Sequence, residues 1–400
     1  MSLTGTAFLV TLLLIAIGAT VATLIGWNRV PGPRWRRHAA RVGMLIACQA
    51  SAVLVVAAGV NNSFGFYTSW SDLFGHYDVP AESTAAPVPG TYISTHATVQ
   101  TAIYRGIASG LTGRVLIWTP PEYDQDQYRD SRFPVIMLLH GSPGGPEDWT
   151  KGGGIPDRLA ALMAQGVLDP AVVVIPQTDP NNVATDCTDL PGGQHNATWL
   201  SHDVPQMIQQ HFRVQDSADG WGLAGFSTGG YCAADLALQH PHIFGSAAMF
   251  SPDDFAGDPA AVHDPRVRAA NNPVTLAGSG APVSLLVATS VNDRYSSPAN
   301  ANALYRAARW PTEVAPPLIL RDGGHNWGTW HAMFPAVFRW LGLHLTPPHQ
   351  PLPWTVRQPD AKQAGIFAQT LTPPSLTDGT GSIAAPPSQS PEPLLKPATR

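Results

Sequence analysis

Three short runs in the middle of this chain, FPVIMLL (residues 133–139), AVVVIP (171–176) and WGLAG (221–225), are apolar along their whole length. A strand with one face in water alternates polar and apolar residues, so a strand apolar at every position must be covered on both faces. The runs SAAMF (246–250), VSLLVAT (283–289) and LIL (318–320) have similar composition, and GRVLIWT (113–119) precedes them all. Helix-like stretches lie between them: 158–166, 201–212 with Val204, Met207, Ile208 and Phe212 on one side, 228–239 rich in Ala and Leu, and 298–309. Strands alternating with helices predict an α/β fold, a mostly parallel sheet with helices on both faces. The pattern occupies residues 91–345.

Ahead of it lie two uncharged apolar runs, residues 7–25 and 42–60, separated by Arg29, Arg34, Arg36, Arg37 and Arg41. Each is long enough to cross a bilayer once. A cleaved signal peptide places its basic cluster before the apolar run, and here the cluster follows it. The reading is a two-helix transmembrane hairpin over residues 1–61, with the Arg-rich loop cytoplasmic by the positive-inside rule. Everything after it then lies outside the membrane, a multi-pass cell-membrane protein with its α/β region extracytoplasmic. Residues 62–90 read as a linker rich in Gly, Ser, Pro and aromatics. Residues 346–400, rich in Pro, Ser, Thr and Ala, read as a disordered tail. An oxidising location allows Cys187 and Cys232 to pair, while Cys48 falls within the second apolar run.

The stretch GLAGFSTGGYC contains G-x-S-x-G at Gly225, Ser227 and Gly229. With a strand before it and a helix after it, this is the pattern of a nucleophile turn, in which larger flanking side chains would collide. A serine hydroxyl needs a base, a group that orients the base, and donors for the oxyanion that forms. In this fold the chain order is Ser, acid, His. Asp293, after the strand 283–289, is the preferred acid. Asp253 and Asp254, after the strand ending at Phe250, compete with it, and Asp322 lies too near the histidine. The preferred base is His325, in the Gly-Gly loop after the strand ending at Leu320; His331, inside the next helix, is the weaker alternative. The oxyanion donors are expected from the backbone of Thr228 and, in the loop HGSPGGPEDW, of Ser142.

Together, FPVIMLLHGSPGGPEDW, GFSTGGYCAADLALQHPHIFGS and GGHNWGTWHAMF resemble the esterase family of α/β-hydrolases that includes esterase D, feruloyl esterases and antigen-85-type mycolyltransferases. The resemblance covers residues 91–345. It implies Ser227, Asp293 and His325 as the triad and the loop from His140 as part of the oxyanion site. The mycolyltransferases carry an Asp-Gly pair in place of His140-Gly141 and an Ala in place of Gly229, which favours a hydrolase.

Net charge is −5 and the catalytic region has no long basic run, so nucleic-acid binding has no support. The three cysteines include no C-x-x-C pair, and His195 and His202 lack a ligand pattern with a carboxylate, so neither metal nor cofactor is implied. The expectation is a membrane-anchored serine esterase acting on small-molecule, lipid or sugar esters through an acyl-enzyme. The alternatives are an acyltransferase to sugar or lipid hydroxyls, with the same triad, and a non-catalytic envelope binding module, which predicts a broken triad.

Overall fold

The computed structural model describes residue 3 and residues 6–64, 70–73 and 99–350. Most of the expected linker and the tail from residue 351 lie outside the described residues. Among the described residues nine strands form one sheet. They are β1 (Gln100–Arg105), β2 (Thr112–Trp118), β3 (Val135–Leu139), β4 (Val172–Pro176), β5 (Trp221–Phe226), β6 (Ser246–Phe250), β7 (Ser284–Ser290), β8 (Glu313–Val314) and β9 (Leu318–Leu320).

The order is β1-β2-β4-β3-β5-β6-β7-β8, and β9 also pairs with β7. Strands β3 to β9 run parallel, and β1 and β2 are antiparallel additions at one edge. The sheet is therefore mostly parallel, as the apolar runs require. The sequence reading missed β1, whose half-exposed side chains give no apolar run, and β8, which is two residues long.

The helices are α1 (Thr6–Gly26), α2 (Arg34–Phe64), α3 (Trp70–Leu73), α4 (Glu147–Lys151), α5 (Asp157–Ala164), α6 (Asn196–Thr198), α7 (Val204–His211), α8 (Thr228–Gln239), α9 (Pro265–Ala270), α10 (Pro273–Ala277), α11 (Pro298–Ala307) and α12 (Trp327–Leu343). The helix expected over 201–212 begins with a π-helical turn, Trp199–Asp203, before α7.

Alternate residues of each strand enter opposite cores. Val135, Met137 and Leu139 of β3 join Met207 and Ile208 of α7, Leu236 of α8 and Leu304 of α11. Ile136 and Leu138 join Trp149 of α4, Leu159 of α5 and Phe334 and Phe338 of α12. Burying such a strand side chain contributes about 1.5–3 kcal/mol, so both layers hold the sheet that carries the site.

Helices α1 and α2 are long and apolar enough to cross a membrane, with mean hydropathy of 2.6 in an 18-residue stretch of Thr6–Gly26 and 2.1 in one of Arg34–Asn62. Their apolar side chains point outward: Leu24 is 75% exposed and Val56 66%. The basic segment is a loop only in part: Arg29 lies in the connection between the helices. Arg34, Arg36, Arg37 and Arg41 form the first turns of α2, where Arg41 lies over the Trp27 ring and donates to the Trp27 carbonyl. At the far end of α2, Arg294 donates to the Asn62 carbonyl at 2.7 Å.

Candidate active site

Every residue singled out for the site follows the carboxyl end of a parallel strand, where open α/β sheets bind ligands. Ser227 directly follows β5 and has φ 57° and ψ −130°. A non-glycine residue with positive φ carries strain, and here the strain lifts the side chain off the sheet edge. The turn is held by the Ser227 N–H donating to the Phe250 carbonyl at 3.0 Å. A Cβ on Gly225 would collide with the Gly229 carbonyl, and one on Gly229 with the carbonyls of Leu139 and His140. Both glycines of G-x-S-x-G are thus steric requirements of the turn.

Ser227 Oγ lies 2.8 Å from His325 Nε2. On the other side of that ring, Nδ1 is 3.2 Å and 3.1 Å from the two Asp293 oxygens. The carboxylate accepts the Nδ1 proton, which leaves the Nε2 lone pair facing the serine hydroxyl. Asp293 is buried, at 4% exposure, and its Oδ1 also accepts the amides of Tyr295 and Ser296, each at 3.0 Å. Its orientation is therefore set by its own loop.

His325 is fixed from three directions. Asn326 caps α12, its side chain accepting the Thr329 N–H at 3.0 Å, while Thr329 Oγ1 accepts the Gly324 N–H at 3.0 Å. Ser290 Oγ, at the end of β7, donates to the Gly323 carbonyl at 3.0 Å. Gly323 has φ +125°, a conformation that glycine alone adopts readily. The rings of Tyr295 and Trp330 lie 5.0 and 5.2 Å from the imidazole. Asn326 directly after the histidine is a helix-start signal present in the sequence; the contacts of Tyr295 and Trp330 depend on packing.

Thr228 opens α8, so its N–H is among the first-turn amides that have no acceptor within the helix. Ser142 follows Gly141, where an added Cβ would stand 3.1 Å from Ser227 Cβ, so the loop after β3 passes against Ser227. His140 holds that loop. Its Nε2 accepts the Thr178 N–H at 3.0 Å and its Nδ1–H donates to the Gly141 carbonyl at 2.8 Å. Burial holds its pKa below the usual histidine value, which suits a neutral ring making one donor and one acceptor bond. In a planar peptide the Ser142 N–H points opposite to that carbonyl. The sequence marks His140 only as the start of this loop; its bond to Thr178, on the loop after β4, depends on the fold.

Asp253, a competing acid in the sequence reading, does not meet His325 Nδ1. Its Oδ1 accepts from Ser227 Oγ at 3.2 Å and its Oδ2 from Thr228 Oγ1 at 2.6 Å. Burial pushes its pKa up, against the bonds from Thr228 and Ser227 and the nearness of His325. His331 packs on Trp327 and Phe334, and burial with Arg158 nearby lowers its pKa to about 4. Cys187 and Cys232 form a disulfide that ties α8 to the loop after β4. No group of three or more His, Cys, Asp or Glu among the described residues could hold a metal.

A family model described as "Putative esterase" matches residues 112–341. An uncharacterized protein of Corynebacterium glutamicum is 33% identical over 135 residues, 34% of this chain and 31% of that protein. An S-formylglutathione hydrolase of Paracoccus denitrificans is 24% identical over 160 residues, 36% of this chain and 53% of the relative. The chain thus spans about a third and about half the length of these curated relatives. Among solved structures, a ferulic acid esterase matches with TM-score 0.52 at 20% identity, over 62% of this chain and 98% of that one. An S-formylglutathione hydrolase from Agrobacterium tumefaciens matches with TM-score 0.52 at 18% identity, over 65% and 100%. These structures share the α/β-hydrolase fold with this chain. With a family match across more than half of its residues, the chain belongs to this esterase family of α/β-hydrolases.

Proposed function

We propose that this chain is a serine esterase that hydrolyses carboxylic esters through an acyl-enzyme on Ser227. The observation that carries the reading is the hydrogen-bonded series from Ser227 Oγ through His325 to the buried Asp293, at a strained turn. His325 Nε2 takes the hydroxyl proton as Oγ attacks the ester carbonyl. The amides of Thr228 and Ser142 are the oxyanion donors, and losing one such donor costs about 3 kcal/mol in barrier. His325 then gives the proton to the leaving alcohol. Water enters, loses a proton to Nε2, and releases the acid while Oγ recovers its proton. A non-catalytic binding module has no use for this alignment.

We place the enzyme at the cell membrane, held by α1 and α2 as a hairpin over residues 1–61, with the esterase domain at 91–345 on the outer side. The length and hydropathy of both helices support this. The Arg-rich start of α2 supports a cytoplasmic connection.

The chemistry is tested by p-nitrophenyl ester hydrolysis in membrane fractions. Wild type turns over, and Ser227→Ala falls to the uncatalysed rate; equal rates for both would overturn the reading. The topology is tested by N-terminal sequencing and by protease added to intact cells. An intact N-terminus with a digested esterase region supports the hairpin. A mature chain beginning after α1 makes that helix a cleaved leader, and full protection contradicts the outward orientation.

A further inference from the structure

The serine esterase reading leaves Asp253 without a part in the chemistry, although its carboxylate touches the nucleophile. We propose that Asp253 selects the alcohol side of the ester, accepting a hydrogen bond from a donor hydroxyl beside the scissile oxygen. The proposal rests on the esterase reading above.

In the resting site the single Ser227 proton has two acceptors within reach, His325 Nε2 at 2.8 Å and Asp253 Oδ1 at 3.2 Å. Thr228 Oγ1 anchors the other Asp253 oxygen at 2.6 Å, and the Asp253 backbone N–H donates to the Ser227 carbonyl at 3.3 Å. The carboxylate is therefore held in place whatever happens at Oγ.

Acylation removes the Ser227 proton. The bond from Thr228 survives, but Asp253 Oδ1 loses its donor. An acceptor oxygen partly withdrawn from water is costly to leave unpaired. The replacement donor must stand about 3 Å from Oδ1, which itself lies 3.2 Å from Oγ, and so beside the ester oxygen. That is where the attacking molecule arrives.

The attacker has protons to distribute. One must go to His325 Nε2 as its oxygen bonds to the acyl carbon, the Oγ–C bond breaks, and Oγ then takes that proton back. Water has a second proton for Asp253 Oδ1. A simple monohydric alcohol has none. An alcohol with a hydroxyl on the neighbouring carbon supplies it again. By microscopic reversibility, the same preference applies to the alcohol that leaves during acylation. Asp253 thus disfavours esters and acceptors of plain alcohols relative to water and vicinal diols.

Charge narrows the class further. Asp254 lies close enough to raise the Asp253 pKa, and Asp186 interacts with both Asp253 and Asp258. A negative alcohol or thiol entering beside Asp253 meets like charge. The favoured alcohol is a neutral diol.

The test is the partition of one acyl-enzyme. The full-length protein is acylated with a p-nitrophenyl ester in the presence of ethylene glycol, 1-propanol or glycolate at equal concentration, and the product esters are counted. Ethylene glycol and 1-propanol differ only by a hydroxyl in place of a methyl. Wild type transfers to ethylene glycol about tenfold or more over 1-propanol, with glycolate no better than 1-propanol. Asp253→Ala brings the ratio of the two neutral alcohols to about two, the statistical value for two hydroxyls against one, and Asp253→Asn, which keeps a neutral acceptor, falls between. The ratio is internal to each acyl-enzyme, so it does not depend on how much enzyme is active. If Asp253→Ala does not fold, the ratio in Asp253→Asn decides. A wild-type ratio of about two or less, an unchanged ratio in the variants, or transfer to glycolate equal to that to ethylene glycol overturns the proposal. Release of p-nitrophenol without alcohol preference leaves the esterase reading intact; no release at all overturns both.

Discussion

Replacing Asp293 by Asn probes the part of the site that distance alone does not settle, the tautomer of His325. The amide would not choose its orientation freely. Asp293 Oδ1 accepts two backbone N–H groups, of Tyr295 and Ser296, each at 3.0 Å. Only the carbonyl oxygen of an Asn can take that place, because an NH₂ there would face two donors. The NH₂ then occupies the Oδ2 position, 3.1 Å from His325 Nδ1. Nδ1 must accept, so the ring proton moves to Nε2, which now donates to Ser227 Oγ and cannot take its proton. The analogous exchange in a serine protease lowers turnover about 10⁴-fold, about 5 kcal/mol of barrier. Because both loop bonds are kept, stability should change by about 1 kcal/mol or less. The assay is p-nitrophenyl ester turnover beside a thermal melt. Turnover within about tenfold of wild type in a protein that melts normally would refute the orienting role of Asp293.

Two further outcomes concern stability. The Cys187–Cys232 bridge closes a sequence separation of 45, so replacing both by Ser should cost about 4 kcal/mol by the loop-entropy relation and lower Tm by about 10 °C; an unchanged Tm would contradict this. Burial pushes Asp186 from the ordinary 3.8 up to about 6, so the native state keeps a proton that the unfolded chain releases. Stability should therefore fall as pH rises from about 4 to 6 and stay low above, and Asp186→Asn should flatten that fall. At pH 7 the variant should be more stable by up to about 3 kcal/mol, with the difference gone below about pH 4. Asp179, which burial also pushes up to about 6, keeps its own share of the slope; denaturant midpoints across pH measure the difference, and a slope undiminished by the substitution would refute the assignment.

Much of the fold was legible because its signals are local. A strand buried on both faces must be apolar throughout, and the runs at 133–139 and 171–176 were read as strands on that ground. The serine, acid and histidine each follow a strand end, so strand positions and residue type sufficed to find three groups that meet in space. Contacts made across the fold were hidden. His140 depends on the Thr178 amide, 38 residues away in the chain. Asp253 was noticed as a carboxylate after a strand, but its bond to Ser227 instead of His325 follows from β6 lying beside β5. Strand β1 escaped because an exposed edge needs no apolar run. The Arg-rich segment looked like a loop because Pro31 and Pro33 break the helix, yet Arg34, Arg36, Arg37 and Arg41 begin α2.

The central claim is that Ser227 is the nucleophile and His325 its base. Membranes carrying wild type, Ser227→Ala or His325→Ala are treated with a fluorophosphonate, and the modified peptide is located by mass. The account predicts an adduct on Ser227 in wild type, none in Ser227→Ala, and labelling slowed by about a hundredfold or more in His325→Ala, within the range general-base catalysis supplies. An adduct on any other residue, or equal labelling of all three proteins, would contradict it.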